Sequence, residues 1–546
     1  MSAELLLRVF DRIADAPDAV PRLRRFVLEL SVRGMLTDQL GGDGLAIDLL
    51  SQIEEERAAS PQLGSWGRPR QFEPIDSDEE PFRVPETWLW LRLRQVTRDR
   101  GQTVPSSDFT YIDVTSIDKE AGRIRDPAVL RAADAPSRAR KLVAKGDVLY
   151  SCVRPYLLNV AVVDIDIDPA PIASTAFAVL DGFGRCLPRY LWIVLRSPYF
   201  VEVVESQMRG QAYPAINDSA LALLPIPVPP LAEQHRIIAQ VDELMGLCDR
   251  LDIAQEEREL QREVLRSASV HRLTADDVPE PADVRFFLDN SARLMTKPEH
   301  LAAARQTILD LAVRGRLSQQ DPADESAANL VGRAGRLTDD SNVPAGWIKT
   351  RLGEIGEWRS GSTPSRSSPD LYGGPISWFK SGELRDNPAL VGAQESITEK
   401  ALAIGSFRMN HPGDVLLAMY GQGATIGKVA ILAESAVTNQ AVCACRPRAM
   451  TSRYLFYALM ANRVEFRKAR EGGPQPNISR VKIVGTPVLL PPRAEQQRIV
   501  AKVDELMAVC DELEAALAFA QQARGQLMES LLHDALVGSA ERALAI

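Results

Sequence analysis

Few residues in this chain stand at spacings that could make or break a covalent bond. The run Gly423-Ala-Thr-Ile-Gly427-Lys428-Val429 comes nearest to a phosphate-cradling loop. Its first glycine is one residue too close to the lysine, and Val429 stands where a metal-binding Ser or Thr is required. Gly421-Gln-Gly423 begins a dinucleotide pattern whose third glycine arrives one residue late. There is no Gly-x-Ser-x-Gly elbow, no His-Glu-x-x-His, and no Asn/Asp-Pro-Pro-aromatic run. Asp370, Glu383 and Arg385 echo a nuclease carboxylate set without its lysine. His235, His271, His300, His411 and His533 lack a spaced carboxylate partner. Among the six cysteines (Cys152, Cys186, Cys248, Cys443, Cys445, Cys510) no CxxC pair occurs. Reduced, partly buried thiols and no metal are therefore expected. The residue types point away from catalysis by this chain.

What remains is charge, and it is unevenly placed. The net charge of −9 suits a nucleic-acid binder poorly. The acid, however, is concentrated in residues 1–84, 231–343 and 491–546. Residues 85–230 are near balance at +1, and residues 344–490 carry +7. Distribution rather than total decides where a phosphate backbone can dock. With 45% hydrophobic residues, each of several domains can bury a core. No run is long and apolar enough to span a bilayer. The charged start (Glu4, Arg8, Asp11, Arg12, Asp15) lacks the apolar core of a secretory signal, so a cytoplasmic protein is expected.

The elements that would position any site come in two copies. PPLAEQHRIIAQVDELMGLCDRL from Pro229 matches PPRAEQQRIVAKVDELMAVCDEL from Pro491, with 16 of 23 positions identical at an offset of 262. LRRFVLELSVRGML from Leu23 and ARQTILDLAVRGRL from Ala304 share Leu-x-Val-Arg-Gly. Val84-Pro85-Glu86-Thr87-Trp88 resembles Val343-Pro344-Ala345-Gly346-Trp347, and Gly146-Asp147-Val148-Leu149 matches Gly413-Asp414-Val415-Leu416. Such self-similarity fixes the architecture before any single element does.

From Ile499 the apolar positions step by 4 and 3 through Val503, Leu506, Cys510, Leu513, Leu517 and Ala520, break at Arg524, and resume at Leu527 and Leu531. A helix over 494–532 would be roughly 57 Å long. The first copy repeats the seam at Ile237, Val241, Leu244, Cys248 and Leu251 before turning polar at Gln255 and Arg258. Strands are expected at Val160–Ile165, Ala176–Leu180, Asp414–Ala418 and Val429–Leu432, and helices at Pro188–Met208 and Thr451–Arg470. The fold class is therefore α/β plus long α-helices. Two globular α/β domains are separated by paired antiparallel long helices in a pseudo-two-fold internal repeat. The expected divisions are an N-terminal helical segment (1–40), an acidic connector (41–83), a first head (84–230), a central long helix (231–275), a helical segment and connector (276–343), a second head (344–490) and a C-terminal long helix (491–546).

The paired PPLAEQHRI and PPRAEQQRI corners, the Val-Arg-Gly helices and the Val-Pro-x-x-Trp openings carry a resemblance over nearly the whole chain. They are joined by GDVLYSCVRPYL from Gly146, GDVLLAMYGQGATIGKVAI from Gly413, AVTNQAV from Ala436 and SGSTPSRSSPDLYGGPISWFKSGEL from Ser360. The chain resembles the specificity subunits of type I restriction–modification systems. The first head departs from the family's Gly-x-Thr-Pro run, having Gly101-Gln-Thr-Val-Pro105. The resemblance implies two target-recognition domains, each reading one half of a split double-stranded DNA site. It implies helices that set the spacing and dock two modification subunits, with restriction subunits joining the complex. It also implies that this chain holds no cofactor; S-adenosylmethionine, ATP and Mg would belong to the partners, as would the methyltransferase and deoxyribonuclease activities. The alternatives are a coiled-coil scaffold with no DNA role and a stand-alone DNA-modifying enzyme.

Base edges are read by Arg, Lys, Asn and Gln, and phosphates by Arg, Lys, Ser, Thr and backbone amides. In the first head the candidate contacts are Arg98, Arg100, Gln102, Arg154, Tyr156, Arg209, Gln211, Tyr213 and Asn217. In the second they are Arg359, Ser360, Thr363, Ser365, Arg366, Lys380, Tyr420, Gln422, Lys428, Asn439, Gln440, Arg470, Gln475 and Asn477. Asn439, Gln440 and Asn477 have the competing reading of tying loops to the domain frame. Trp88, Trp347 and Trp378 are expected as core anchors. Glu233, Gln234, Arg236, Glu495, Gln496 and Arg498 are expected to brace the corner between head and helix, with partner contact as the second reading.

Overall fold

The computed structural model describes residues 18–59, 75, 80–210, 214–274, 286–287, 290, 293–332, 335–337, 343–420, 425–469 and 477–543, with side chains on the last helix described to 534. The chain divides into two compact units. One comprises Met1–Arg258 with Ala520–Ile546, the other Glu259–Phe519. Each expected head falls wholly inside one unit.

In the first unit, α1 (Ala19–Val32) buries Ala19, Val20, Leu23, Phe26, Val27 and Leu30, the three- and four-residue steps of one helix face. It ends where Gly34 takes φ +67° and the Met35 amide donates to the Leu30 carbonyl at 3.0 Å. A Cβ at Gly34 would lie 2.5 Å from Pro85 Cγ, so the shared glycine answers both a left-handed turn and a close approach. The head opens with Leu89–Arg92, which pairs antiparallel with Pro225–Val228, so the chain enters and leaves on adjacent strands. A three-stranded sheet in the order Phe177–Leu180, Val148–Ser151, Val160–Val162 lies at the centre. Val148–Ser151 is buried at every position, which is why its sequence shows a continuous apolar run rather than alternation. A second sheet has the order Ala128–Leu130, Phe109–Ile112, Pro171–Ser174, Ala139–Leu142. Instead of the single helix expected over Pro188–Met208 there are two, Pro188–Arg196 and Pro198–Gln207. Pro198 holds Ser197 extended, and the Ser197 hydroxyl caps the second helix by accepting from the Phe200 amide at 3.2 Å.

The second unit repeats this plan. Ile348–Arg351 pairs with Pro487–Leu490. Val442–Pro447, Val415–Ala418 and Val429–Leu432 lie side by side in a five-stranded sheet. Thr451–Arg470 likewise splits into Ser452–Ala461 and Arg463–Lys468, with Arg470 outside the described residues.

The connector reading of 41–83 needs correction. Ala46–Ala59 is a helix whose Leu49, Leu50 and Ile53 are buried, and whose Arg57 donates to the Arg94 and Gln95 carbonyls at 2.9 and 3.0 Å. Its acidic outer face, Glu54-Glu55-Glu56, masks the apolar stripe in composition. In 318–343, Ala327 is likewise buried, its amide donating to the Gly346 carbonyl at 2.9 Å.

The long helices are α2 (Leu231–Thr274) and α4 (Arg493–Ala543), with the short α3 (Pro298–Val313) matching α1. α2 begins in the first unit and ends in the second, whereas α4 does the reverse. The seams are buried as expected at Ile237, Val241, Leu244, Cys248 and Leu251, and at Ile499, Val503, Leu506 and Cys510. Further along α4 the buried residue is Met528, one position past the Leu527 at which the 4-and-3 stepping arrives; Leu527 is half-buried and Arg524 exposed. Met528 packs with Ala19, Val20, Leu23, Cys248 and Leu251 of the first unit. Arg24 pairs with Asp249 and Asp252 at 2.7 and 2.9 Å, and Arg305 with Asp511 and Glu514 at 2.6 and 2.7 Å, so the same brace holds α1 and α3 to their long helices.

Candidate nucleic-acid interface

The corner residues place each head on its long helix. Glu233 is fully buried and accepts from Trp88 Nε1 at 2.8 Å, Gln39 Nε2 at 2.6 Å and the Thr37 hydroxyl at 3.1 Å. Glu495 accepts from Trp347 Nε1 at 2.7 Å and from Ser318 and Gln320 at 3.1 Å each. Burial pushes the Glu233 carboxyl up, against the pull of its three donors. Gln234 donates to the Arg185 and Pro229 carbonyls and accepts from the Leu187 amide, and Gln496 repeats this with Ala449, Pro491 and Thr451. Arg236 and Arg498 pair with Asp43 and Asp324 at 2.5 Å each. All six corner side chains therefore have intramolecular partners. Trp88 and Trp347 are buried anchors, as is Trp378.

Several candidate contacts have partners within the fold. Arg98 pairs with Asp181 at 2.7 Å and lies over the Phe183 ring. Arg100 pairs with Asp147 at 2.7 Å and Asp181 at 3.2 Å. Arg359 pairs with Asp414 at 2.9 Å, and Arg446 pairs with the same carboxylate at 3.1 Å. Asp147 and Asp414 are the aspartates of the repeated Gly-Asp-Val-Leu, buried immediately before the central strands, and a buried carboxylate demands a cation. Lys428 pairs with Asp386 at 2.6 Å. Asn217 caps the helix Asp218–Ala222 by accepting from the Ala220 amide at 2.7 Å, and Asn439 accepts from the Ala441 amide at 3.2 Å. Gln211, Tyr213, Gln422, Arg470 and Gln475 lie outside the described residues.

Burial pushes the Asp147 carboxyl up to about 6, against the pull of the Ala144 amide and Arg100. A folded-state value above the unfolded one, about 3.9, means that the folded protein holds this proton more tightly. The resulting stabilisation is complete below about pH 4 and is lost as pH rises through about 6. Asp147→Asn is expected to flatten the dependence of the urea midpoint on pH across that window. A dependence identical to the parent protein would show that Asp147 titrates normally.

The remaining candidates gather at one framework position in both heads. In the first, the Ile216 amide donates to the Cys152 carbonyl at 3.0 Å, and Val153 and Arg209 both bridge Ala215. The loop after the central strand is thereby joined to the segment before the capped helix. Arg154, in a left-handed turn, Tyr156 and Arg209 sit on this junction, with Tyr156 and Arg209 exposed. Gln102 is exposed opposite Lys141. In the second head the Ile478 amide donates to the Met419 carbonyl at 2.9 Å, and Tyr420 bridges Asn477. Gln440 bonds both the Tyr420 phenol and the Thr363 hydroxyl. Thr363 belongs to the Gly361–Arg366 loop, where the Ser365 and Ser367 hydroxyls share a hydrogen bond and Arg366 lies over the Tyr372 ring at 4.6 Å. Arg366 and Lys380 converge on Glu395 and hold its carboxyl down at about 2. Ser360 is exposed at the foot of that loop. Hydroxyls, amides and two cations on loops over a rigid sheet can hydrogen-bond phosphates and base edges.

Residues 344–518 match the family described as the type I restriction modification DNA specificity domain. Over 95% of its length the chain is 25% identical to the type I restriction enzyme EcoEI specificity subunit of Escherichia coli, covering 94% of that protein. It is 26% identical to the EcoAI specificity subunit of the same organism, with the same coverage. Over nearly its whole length the chain is thus similar to type I specificity subunits. Among solved structures it is similar to the crystal structure of the HsdS subunit from Thermoanaerobacter tengcongensis, with a TM-score of 0.46 and 26% identity over 84% of this chain and 99% of that one.

Sequence reasoning missed the carboxylates that pair with the candidate cations: Asp181, Asp386, Glu395 and the two motif aspartates. For Asp147 and Asp414 the signal was present, since a buried acid repeated in both heads must have a partner in both. Among the described residues no cluster of His, Cys, Asp and Glu could hold a metal, and no helix is long and apolar enough to cross a membrane.

Proposed function

We propose that this chain is the sequence-reading subunit of a type I restriction–modification complex, each α/β head reading one half of a split duplex DNA site. The observation that carries the reading is the doubled junction. Two heads that share this junction present different polar and basic side chains at it, as two readers of different sequences require. Methylation and cleavage then belong to partner subunits, two for modification and further ones for restriction. Those partners hold the S-adenosylmethionine, ATP and Mg, and the complex works in the cytoplasm. The acidic long helices, repelled by phosphate, suit protein docking.

Selection of the full-length chain with its modification partner on a pool of randomised duplexes should enrich one two-part motif. In the same assay Arg366→Ala with Lys380→Ala is expected to reduce the slope of log affinity against log salt by about two counterions. A continuous motif, or no enrichment, would refute the reading. An unchanged slope would remove the Gly361–Arg366 loop from the interface.

A further inference from the structure

Lys141 is buried to 1% exposure, on a strand of the second sheet in the first head, and its ammonium is held by Asp99 at 2.8 Å and Asp218 at 2.7 Å. Burying an ammonium is costly, and two carboxylates around one cation leave surplus negative charge, so the triad is not the cheapest way to fill this volume. Its geometry shows what it holds. Asp99 also accepts from the Gly101 amide at 2.7 Å, with Gly101 at φ +90°, and so shapes the turn that carries Gln102. That turn is laid against the strand of Lys141 by Thr103 donating to the Arg140 carbonyl at 2.8 Å and Leu142 donating to the Gly101 carbonyl at 3.1 Å. Asp218 follows Asn217 at the start of its helix and also faces the Cys152 thiol, at 3.5 Å, on the loop that leads to Arg154. Three chain segments bearing candidate contacts thus converge on one ammonium.

The internal repeat separates framework from specialisation. The corner glutamates, the buried motif aspartates and the Arg24 and Arg305 braces occur in both units. The triad does not, since Ser479 caps the corresponding helix of the second head and the residue after it is Arg480, not an acid. An ion cluster that one copy keeps and the other lacks is not part of the framework the two heads share.

We infer that Lys141, with Asp99 and Asp218, is a positioning element that sets the base preference of the first head by fixing the Gln102 turn against the Asn217 helix and the Arg154 loop. This rests on the DNA-reading function proposed above. The test uses the full-length chain with its modification partner, selected on randomised duplexes, for the parent, Lys141→Met, Lys141→Arg and Asp218→Asn. Thermal melting is recorded for each. Lys141→Met is expected to lower discrimination at one half-site on the order of tenfold, with the other half unchanged and Lys141→Arg intermediate. Asp218→Asn keeps the Lys141–Asp99 pair; it should show the same one-sided loss and carries the test should Lys141→Met not fold. Folded variants that leave both halves unchanged, or weaken both equally, overturn the inference alone. A parent chain that selects no motif overturns the functional reading and this inference with it.

Discussion

Glu495→Ala is expected to destabilise the second unit by about 3 kcal/mol, because the indole N–H of Trp347 is left buried without an acceptor and the Ser318 and Gln320 donors are released. Glu495→Gln keeps an acceptor oxygen and should cost roughly a third as much. Urea unfolding of the full-length chain would show the loss as an early transition confined to one unit. Glu233→Ala should produce the same effect in the other unit, since Trp88, Gln39 and Thr37 stand in the same relation to it. An alanine variant that unfolds like the parent protein would mean that the corner is held by apolar packing of the tryptophans alone.

Exchange of a whole head should have the larger effect on function. Replacing residues 344–490 with the equivalent segment of another specificity subunit keeps the strand pair Ile348–Arg351 and Pro487–Leu490 within the exchanged piece. It leaves the Pro491-Pro492 corner and α4 untouched. The chimera should bind the original site about a thousandfold or more weakly, and should acquire a motif in which one half is new and the other is retained. Two modules at fixed separation multiply their discrimination, so losing one half returns binding to near the non-specific level. A chimera that keeps the original motif would place reading outside the heads.

The parts of this molecule legible in the sequence are those that a duplication preserves. The proline corners, the Val-Arg-Gly helix ends and the buried heptad positions are fixed by packing shared between the copies, so identity and periodicity reveal them. The helix Ala46–Ala59 was not legible, because one turn of glutamates outweighs three buried aliphatic side chains in composition. The break at Ser197-Pro198 was signalled by the proline itself but masked by apolar residues on both sides. The fate of individual arginines was not legible either. Arg100 and Asp147, or Arg359 and Asp414, are 47 and 55 residues apart and meet only once the strands are placed. Residue type says that a cation can touch phosphate; only the fold says whether a carboxylate already has it. Exposed candidates include Gln102, Tyr156 and Arg209 in one head and Thr363, Arg366 and Gln440 in the other, and of these Arg366 also has a carboxylate partner, Glu395.

Sequencing of methylated bases across the host genome, with the gene intact and deleted, addresses the central claim most directly. One methylated motif, made of two short specified halves around a spacer of constant length, should disappear when the gene is removed. A methylation pattern that is the same in both strains, or a lost motif without an unspecified gap, would contradict the account of two heads reading two half-sites.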